Sequence, residues 1–165
     1  MSKSKPNEAI DPRTSIGHVH LKVADLERSV KFYTKILGFE VMTRMGNSAA
    51  FLSVGGYHHH IGLNTWESAN GNPPPKGSTG LYHFAILVPS RKELARVFKR
   101  LSDNNWPIEG ASDHGVSEAI YLKDPDGNGI EIYADRPRNK WPKDPHGKID
   151  MYTRRLDVDG LMKEL

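Results

Sequence analysis

Eight histidines stand out in this chain of 165 residues: His18, His20, His58, His59, His60, His83, His114 and His146. Imidazole is the side chain best suited to metals and to proton transfer near neutral pH. Cysteine is absent. That excludes disulfides and thiolate metal sites and suits a cytoplasmic setting. A metal centre would have to be built from imidazole nitrogen and carboxylate oxygen. His18, His83 and Glu131 offer such a set. Two neutral imidazoles and one carboxylate form a facial triad suited to Fe(II), with positions left open for substrate and oxygen; the same donors accept Mn(II) or another divalent metal.

These three residues are far apart in sequence, so the elements that carry them must bring them together. An internal repeat supplies the means. Residues 18–38, HVHLKVADLERSVKFYTKILG, align with 83–103, HFAILVPSRKELARVFKRLSD. His18 meets His83, Val23 meets Val88, Tyr33 meets Phe98 and Ile36 meets Leu101. Each copy reads as a strand followed by a helix. Val19, Leu21 and Val23 alternate with His18, His20 and Lys22, so the helix packs on the aliphatic face and the histidines look the other way. Asp25 is the predicted N-cap of the first helix, with a stripe of Leu26, Val30, Tyr33 and Leu37 closed by Gly38. Ser90 and Glu93 form a capping-box pattern for the second.

Short strand-like runs follow each helix. In the first half they are Phe39–Arg44, Ala49–Val54 and Tyr57–Thr65, separated by Gly46-Asn47 and Gly55-Gly56. In the second half they are Trp106–Glu109, Ser117–Lys123 and Gly129–Ala134. Asp124-Pro125-Asp126-Gly127 suits a type I turn and sets Tyr121 nearly opposite Glu131. Ile130 and Ile132 face the core, which leaves Glu131 on the open face. The expected fold is α+β: two βαβββ modules, 16–66 and 81–135, forming a curved mixed sheet around a metal site. A Pro/Gly linker spans 67–80, a flexible segment covers 1–15, and an extension covers 136–165. That extension carries Trp141, Met151, Tyr152, Leu156, Leu161, Met162 and Leu165, so it is expected to pack on the sheet or on a partner, with Asp157 capping a short helix.

Charge and hydropathy narrow the function further. The 23 basic and 20 acidic residues are well mixed and give a net charge of +3, which is not a nucleic-acid footprint. There is no apolar run of the roughly 20 residues a membrane span needs, and the N-terminus has no signal-peptide core.

On GHVHLKVADLERSVKFYTKILGFEV, GLYHFAILVPS and YLKDPDGNGIEIYADRP, over about residues 16–135, the sequence resembles the vicinal oxygen chelate superfamily. That superfamily includes glyoxalase I, thiol transferases, bleomycin-binding proteins and extradiol dioxygenases. The run from His114 through Ile120-Tyr121 and the Asp-Pro turn to Glu131 is similar to the extradiol signature and departs from it at Ser112. YHHHIGLNTW and the tail WPKDPHGKIDMYTRRLDVDGL look like proteins of the catechol 2,3-dioxygenase type.

The resemblance implies His18, His83 and Glu131 as metal ligands, and His114 and Tyr121 as a pair contacting substrate. It also implies an acid/base histidine in the His58–His60 run. Alternation favours His58 and His60 on the site face, whereas the family pattern favours His59. A bulge after Gly55-Gly56 would reconcile them. The implied reaction inserts O2 into a small aromatic diol next to its hydroxyl pair.

Other readings are a non-redox metalloenzyme of the glyoxalase I or thiol transferase type, and a small-molecule binding or resistance protein. Glyoxalase I uses a glutamate late in the first module, but Val41–Trp66 contains no Asp or Glu. A homodimer or higher homo-oligomer is expected, with the site either within one chain or shared between subunits.

Overall fold

The alternating residues after His18 form β1 (Val19–Lys22), with Leu21 buried and His20 and Lys22 exposed. The computed structural model describes residues 10–165; residues 1–9 of the expected flexible segment lie outside the described residues. Asp25 caps helix α1 (Leu26–Lys31), its side chain accepting the Arg28 N–H at 3.0 Å. A π-helical turn, Phe32–Ile36, then widens the helix. This departs from the regular stripe that 3.6-residue spacing predicts. The wider turn sends the adjacent Phe32 and Tyr33 both inward, packed edge-to-face at 4.9 Å.

Three antiparallel-linked strands follow: β2 (Glu40–Met45), β3 (Ala49–Ser53) and β4 (Ile61–Asn64). The last is shorter than the expected Tyr57–Thr65. Gly55 and Gly56 take positive φ of 65° and 76°, so the chain is still turning there and the three histidines precede the strand. Ile61 and Leu63 are buried as alternation predicts.

The second half repeats the pattern with β5 (Phe84–Leu87), α2 (Arg91–Asp103), β6 (Ile108–Asp113), β7 (Ser117–Lys123) and β8 (Gly129–Asp135). Ser90 caps α2 through the Glu93 N–H at 3.3 Å. β6 begins later than the expected Trp106–Glu109, because Pro107 donates no ladder bond and Asn105 holds a positive φ of 52°. Its residues Gly110-Ala111-Ser112-Asp113 carry little β-propensity. They are strand because β7 pairs on one side and β9 (Arg154–Arg155), from the tail, pairs on the other.

Two mixed sheets result, ordered β1-β4-β3-β2 and β5-β8-β7-β6-β9. In each, the first strand runs parallel to the fourth and the others are antiparallel. The α+β class and the duplicated unit are therefore as the repeat predicts. Asp157 caps α3 (Val158–Met162), and Leu156 and Leu161 are buried. Arg91 clamps this end, bonding Glu118 and Glu164 at 2.7 Å each. No helix among the described residues is long and apolar enough to cross a membrane.

One continuous core joins the halves, with Phe32 against Trp106 at 4.5 Å. The turn between β7 and β8 provides the polar joint. Asp124 accepts the Asp126 and Asn128 N–H groups on one oxygen, and Tyr33 Oη–H and Asn128 Nδ2 on the other, all within 2.8–3.0 Å. All four acceptor directions of this buried carboxylate are filled. Burial, then the Asp124 charge, push Tyr33 ionisation far above its ordinary range. Asp126 reaches the first half too, accepting from Ala24 N and Ser29 Oγ at 3.0 Å.

Tyr33→Phe leaves one Asp124 acceptor unfilled inside the joint. It should cost about 2 kcal/mol, read as a lower urea midpoint with an unchanged denaturant slope.

Candidate active site

The register of β7 on β8 assembles a polar cluster on the face of this sheet opposite the core. Ile120 pairs with Ile132, Tyr121 with Glu131 and Leu122 with Ile130. The isoleucines and leucine are buried, so Tyr121 and Glu131 share the face opposite the core. Tyr121 Oη–H donates to Glu131 Oε1 at 2.9 Å. His83, immediately before β5, brings Nε2 to 3.0 Å from Glu131 Oε2. Gly129 permits this approach. A Cβ there would lie 2.2 Å from the Tyr82 carbonyl oxygen and 3.0 Å from His83 Cβ.

His114, at the end of β6, completes the row. Its Nε2 lies 2.6 Å from Tyr121 Oη, and its Nδ1 lies 3.1 Å from the Tyr152 carbonyl and 3.2 Å from Thr153 Oγ1. The row borders an open cleft of about 670 Å³, lined by Tyr82, His83, Ser112, His114, Tyr121 and Thr153 among others. Burial, and then the hydrogen bond and charge of Glu131, push Tyr121 ionisation well above its ordinary range. The phenol therefore stays protonated at neutral pH and can donate.

Tyr152 and Thr153 escape a reading based on the repeat, because the tail lies outside both copies. The signal that could have found them is the tail's apolar content, which marks it as packed.

The first-half histidines gather elsewhere. His18 is exposed, with its ring 4.4 Å from that of His59. His59 also packs edge-on against Phe51 at 5.1 Å, and its Nδ1 is 2.7 Å from His58 Nδ1. Partial burial, then His18 and His58 facing it, hold His59 below the usual imidazole range and keep it neutral. His60 points differently. Its Nδ1 bonds Ser53 Oγ at 2.9 Å, and its ring lies against Tyr57.

Thus His83, Glu131, Tyr121 and His114 stand together, and His18 stands with His59. Among the described residues, no three His, Cys, Asp or Glu side chains converge as a metal site within one chain. His18 and His83 open strands of two different sheets, and β1 and β5 do not pair.

The His83 and Glu131 donors do suit a shared divalent cation. Two ligand atoms each about 2.1 Å from an ion and at right angles lie about 3 Å apart, which is the separation of His83 Nε2 and Glu131 Oε2.

Comparison with known proteins agrees with this architecture. The description of the Glyoxalase/Bleomycin resistance protein/Dioxygenase superfamily matches residues 15–132. A catechol-2,3-dioxygenase of Bacillus subtilis (strain 168) is 44% identical over 157 residues, 94% of this chain and 54% of that protein. A manganese-dependent 2,3-dihydroxybiphenyl 1,2-dioxygenase of Geobacillus genomosp. 3 is 29% identical over 136 residues, 80% of this chain and 39% of that protein. The chain thus spans about half or less of the length of these relatives. A solved glyoxalase/dioxygenase structure from Nostoc punctiforme shares the fold, with a TM-score of 0.64 at 23% identity, covering 81% of this chain and 100% of that one. With the duplicated unit and the matched profile both in hand, this chain belongs to the glyoxalase/bleomycin resistance protein/dioxygenase superfamily.

Proposed function

We propose that this protein is a metal-dependent extradiol dioxygenase acting on a small catechol-type diol. The observation that carries this reading is the unbroken row from His83 through Glu131 and Tyr121 to His114 beside an open cleft. The 44% identity to a catechol-2,3-dioxygenase supports it. In the proposed reaction the carbon–carbon bond next to the diol breaks and both atoms of O2 enter the product, so no external reductant is needed.

His18, His83 and Glu131 are the proposed ligands, and this nitrogen and oxygen donor set suits Fe(II) first and Mn(II) second. When bound, the cation would hold diol and O2 side by side and conduct electrons between them. His59, held neutral, takes a proton from the diol; His60 is the weaker candidate, since Ser53 engages its Nδ1. Tyr121, kept protonated, donates a hydrogen bond to a substrate oxygen. When Tyr121 passes its proton to that oxygen, His114, behind it at 2.6 Å, replaces it with one taken up at Nε2. A chain without cysteine suits a reducing cytoplasm.

The site is shared between two copies in this proposal, with His18 and His59 of one facing His83 and Glu131 of another. Among the described residues, support comes from the failure of the two groups to converge within one chain. It comes also from the β1 and β5 edges, which pair with no strand on their outer side among those residues, and from the exposure of Ile16 (96%) and Tyr82 (91%) just before the two histidines.

Anaerobic loading with Fe(II), followed by an oxygen-uptake screen over substituted catechols, tests the reaction. The expected result is one O2 consumed per ring opened; no uptake with any catechol would overturn it. His83→Ala should lose the metal. Tyr121→Phe should keep it and lose about 100-fold or more in kcat, read by metal analysis beside turnover. Sharing is tested separately by co-refolding His18→Ala with Glu131→Ala, each inactive alone. A shared site should return about a quarter of wild-type activity, since half the pairs are mixed and each holds one intact centre. No recovery is expected if each chain builds its own site.

A further inference from the structure

The C-terminal tail reaches the row of polar groups at one residue, His114, and grips it from two directions. Tyr152 N–H donates to the His114 carbonyl at 3.3 Å, and the Tyr152 carbonyl faces His114 Nδ1 at 3.1 Å. The strand pairing beside this contact is regular, with Ser112 opposite Arg155 and Asp113 opposite Arg154. Beyond that pair the ladder departs from its register: the Tyr152 N–H bonds the His114 carbonyl, where continued pairing would take it to Gly115. The slip turns the Tyr152 carbonyl and the Thr153 hydroxyl onto the same edge of the imidazole.

The grip is built to hold. Gly115 has φ +77°, and a Cβ there would meet the Tyr152 ring at 2.6 Å and Pro142 at 2.8 Å. The ring therefore lies directly on the Gly115 backbone. The Arg154 guanidinium stacks on the Tyr152 ring at 4.3 Å. Arg136 donates to the Gly115 carbonyl at 3.4 Å and to Asp113 and Glu118 at 2.9 Å each. The Asp150 N–H is tied back to the Pro142 carbonyl at 3.0 Å.

The consequence is chemical as well as mechanical. A carbonyl can only accept, so His114 Nδ1 must carry the ring proton. In neutral imidazole Nε2 is then the basic nitrogen, free to take up a proton and return it to Tyr121 Oη, 2.6 Å away, whose own hydroxyl proton is donated to Glu131. Without the strap the ring could rotate or move its one proton to Nε2, which would turn the basic nitrogen away from the row.

We infer that the strap around Tyr152, seated on Gly115, is a positioning device that fixes the tautomer and orientation of His114. Gly115 and Tyr152 touch no reacting atom; they are positioning residues acting through His114. The inference rests on the proposed role of the His114–Tyr121 pair, but its first readout does not depend on activity.

The test uses the full chain with 15N-labelled histidine and diamagnetic zinc in place of any iron, with long-range 1H–15N correlation spectra assigning the His114 tautomer. Wild type should show Nδ1–H. Thr153→Val should keep it, because the carbonyl remains. Tyr152→Ala should lose the fixed tautomer and lower kcat about tenfold or more with KM little changed, while circular dichroism shows the fold retained. Gly115→Ala, which forces the Tyr152 ring away, should do the same.

Nε2–H in wild type would overturn the inference, as would Nδ1–H preserved in both strap variants. Loss of Nδ1–H in Thr153→Val would assign the control to the hydroxyl and overturn the role given to the carbonyl. A lost tautomer with unchanged turnover would uphold the strap and overturn the part given to His114 in the reaction.

Discussion

The buried carboxylate of Asp124 is the constraint on which this molecule turns. It closes the tight link between β7 and β8 and so fixes which residue of one strand lies beside which residue of the other. A slip of one position would send Tyr121 into the apolar layer and expose Ile120 and Ile132. The same carboxylate accepts from Tyr33, on the helix of the other repeat. Register of this hairpin and docking of the two halves are therefore set by one group whose acceptor directions are all in use. Such a group has little freedom to shift without leaving a charge unsatisfied in the interior.

Much of this hairpin is legible in the sequence because its causes are local. Asp-Pro-Asp-Gly specifies a turn, and alternation specifies faces, so the Tyr121–Glu131 pairing follows. The first halves of the two repeats are legible for a similar reason: Asp25 and Ser90 cap their helices as short-range chemistry dictates. Local rules fail where a distant segment decides. Residues Gly110–Asp113 have no strand pattern of their own and become strand through neighbours on both sides. The π-turn at Phe32–Ile36 follows from the need to bury two adjacent aromatics against Trp106 and Asp124, which no 3.6-residue stripe anticipates.

The histidines show the same boundary. Alternation read through Tyr57–Thr65 favours His58 and His60 on the site face. The chain is still turning at Gly55-Gly56, so strand parity does not apply there. Contact with His18 falls to His59 instead. The repeat correctly makes His18 and His83 equivalent in topology, each opening the edge strand of its sheet. Equivalence within a repeat is not proximity, however. It says that two residues occupy corresponding places, and leaves open which surfaces meet.

The shared core has a further meaning for the history of such a chain. Phe32 of the first repeat rests on Trp106 of the second, and Tyr33 completes the turn that Asp124 begins. Phe32 and Tyr33 also pack on one another and Tyr33 on Phe39 within the first repeat, but the Trp106 ring and the Asp124 acceptor come from the second. Each of the two similar units thus supplies part of the other's interior. A deletion that returned the gene to a single copy would leave a half with a gap in its packing, so the duplication has become hard to reverse.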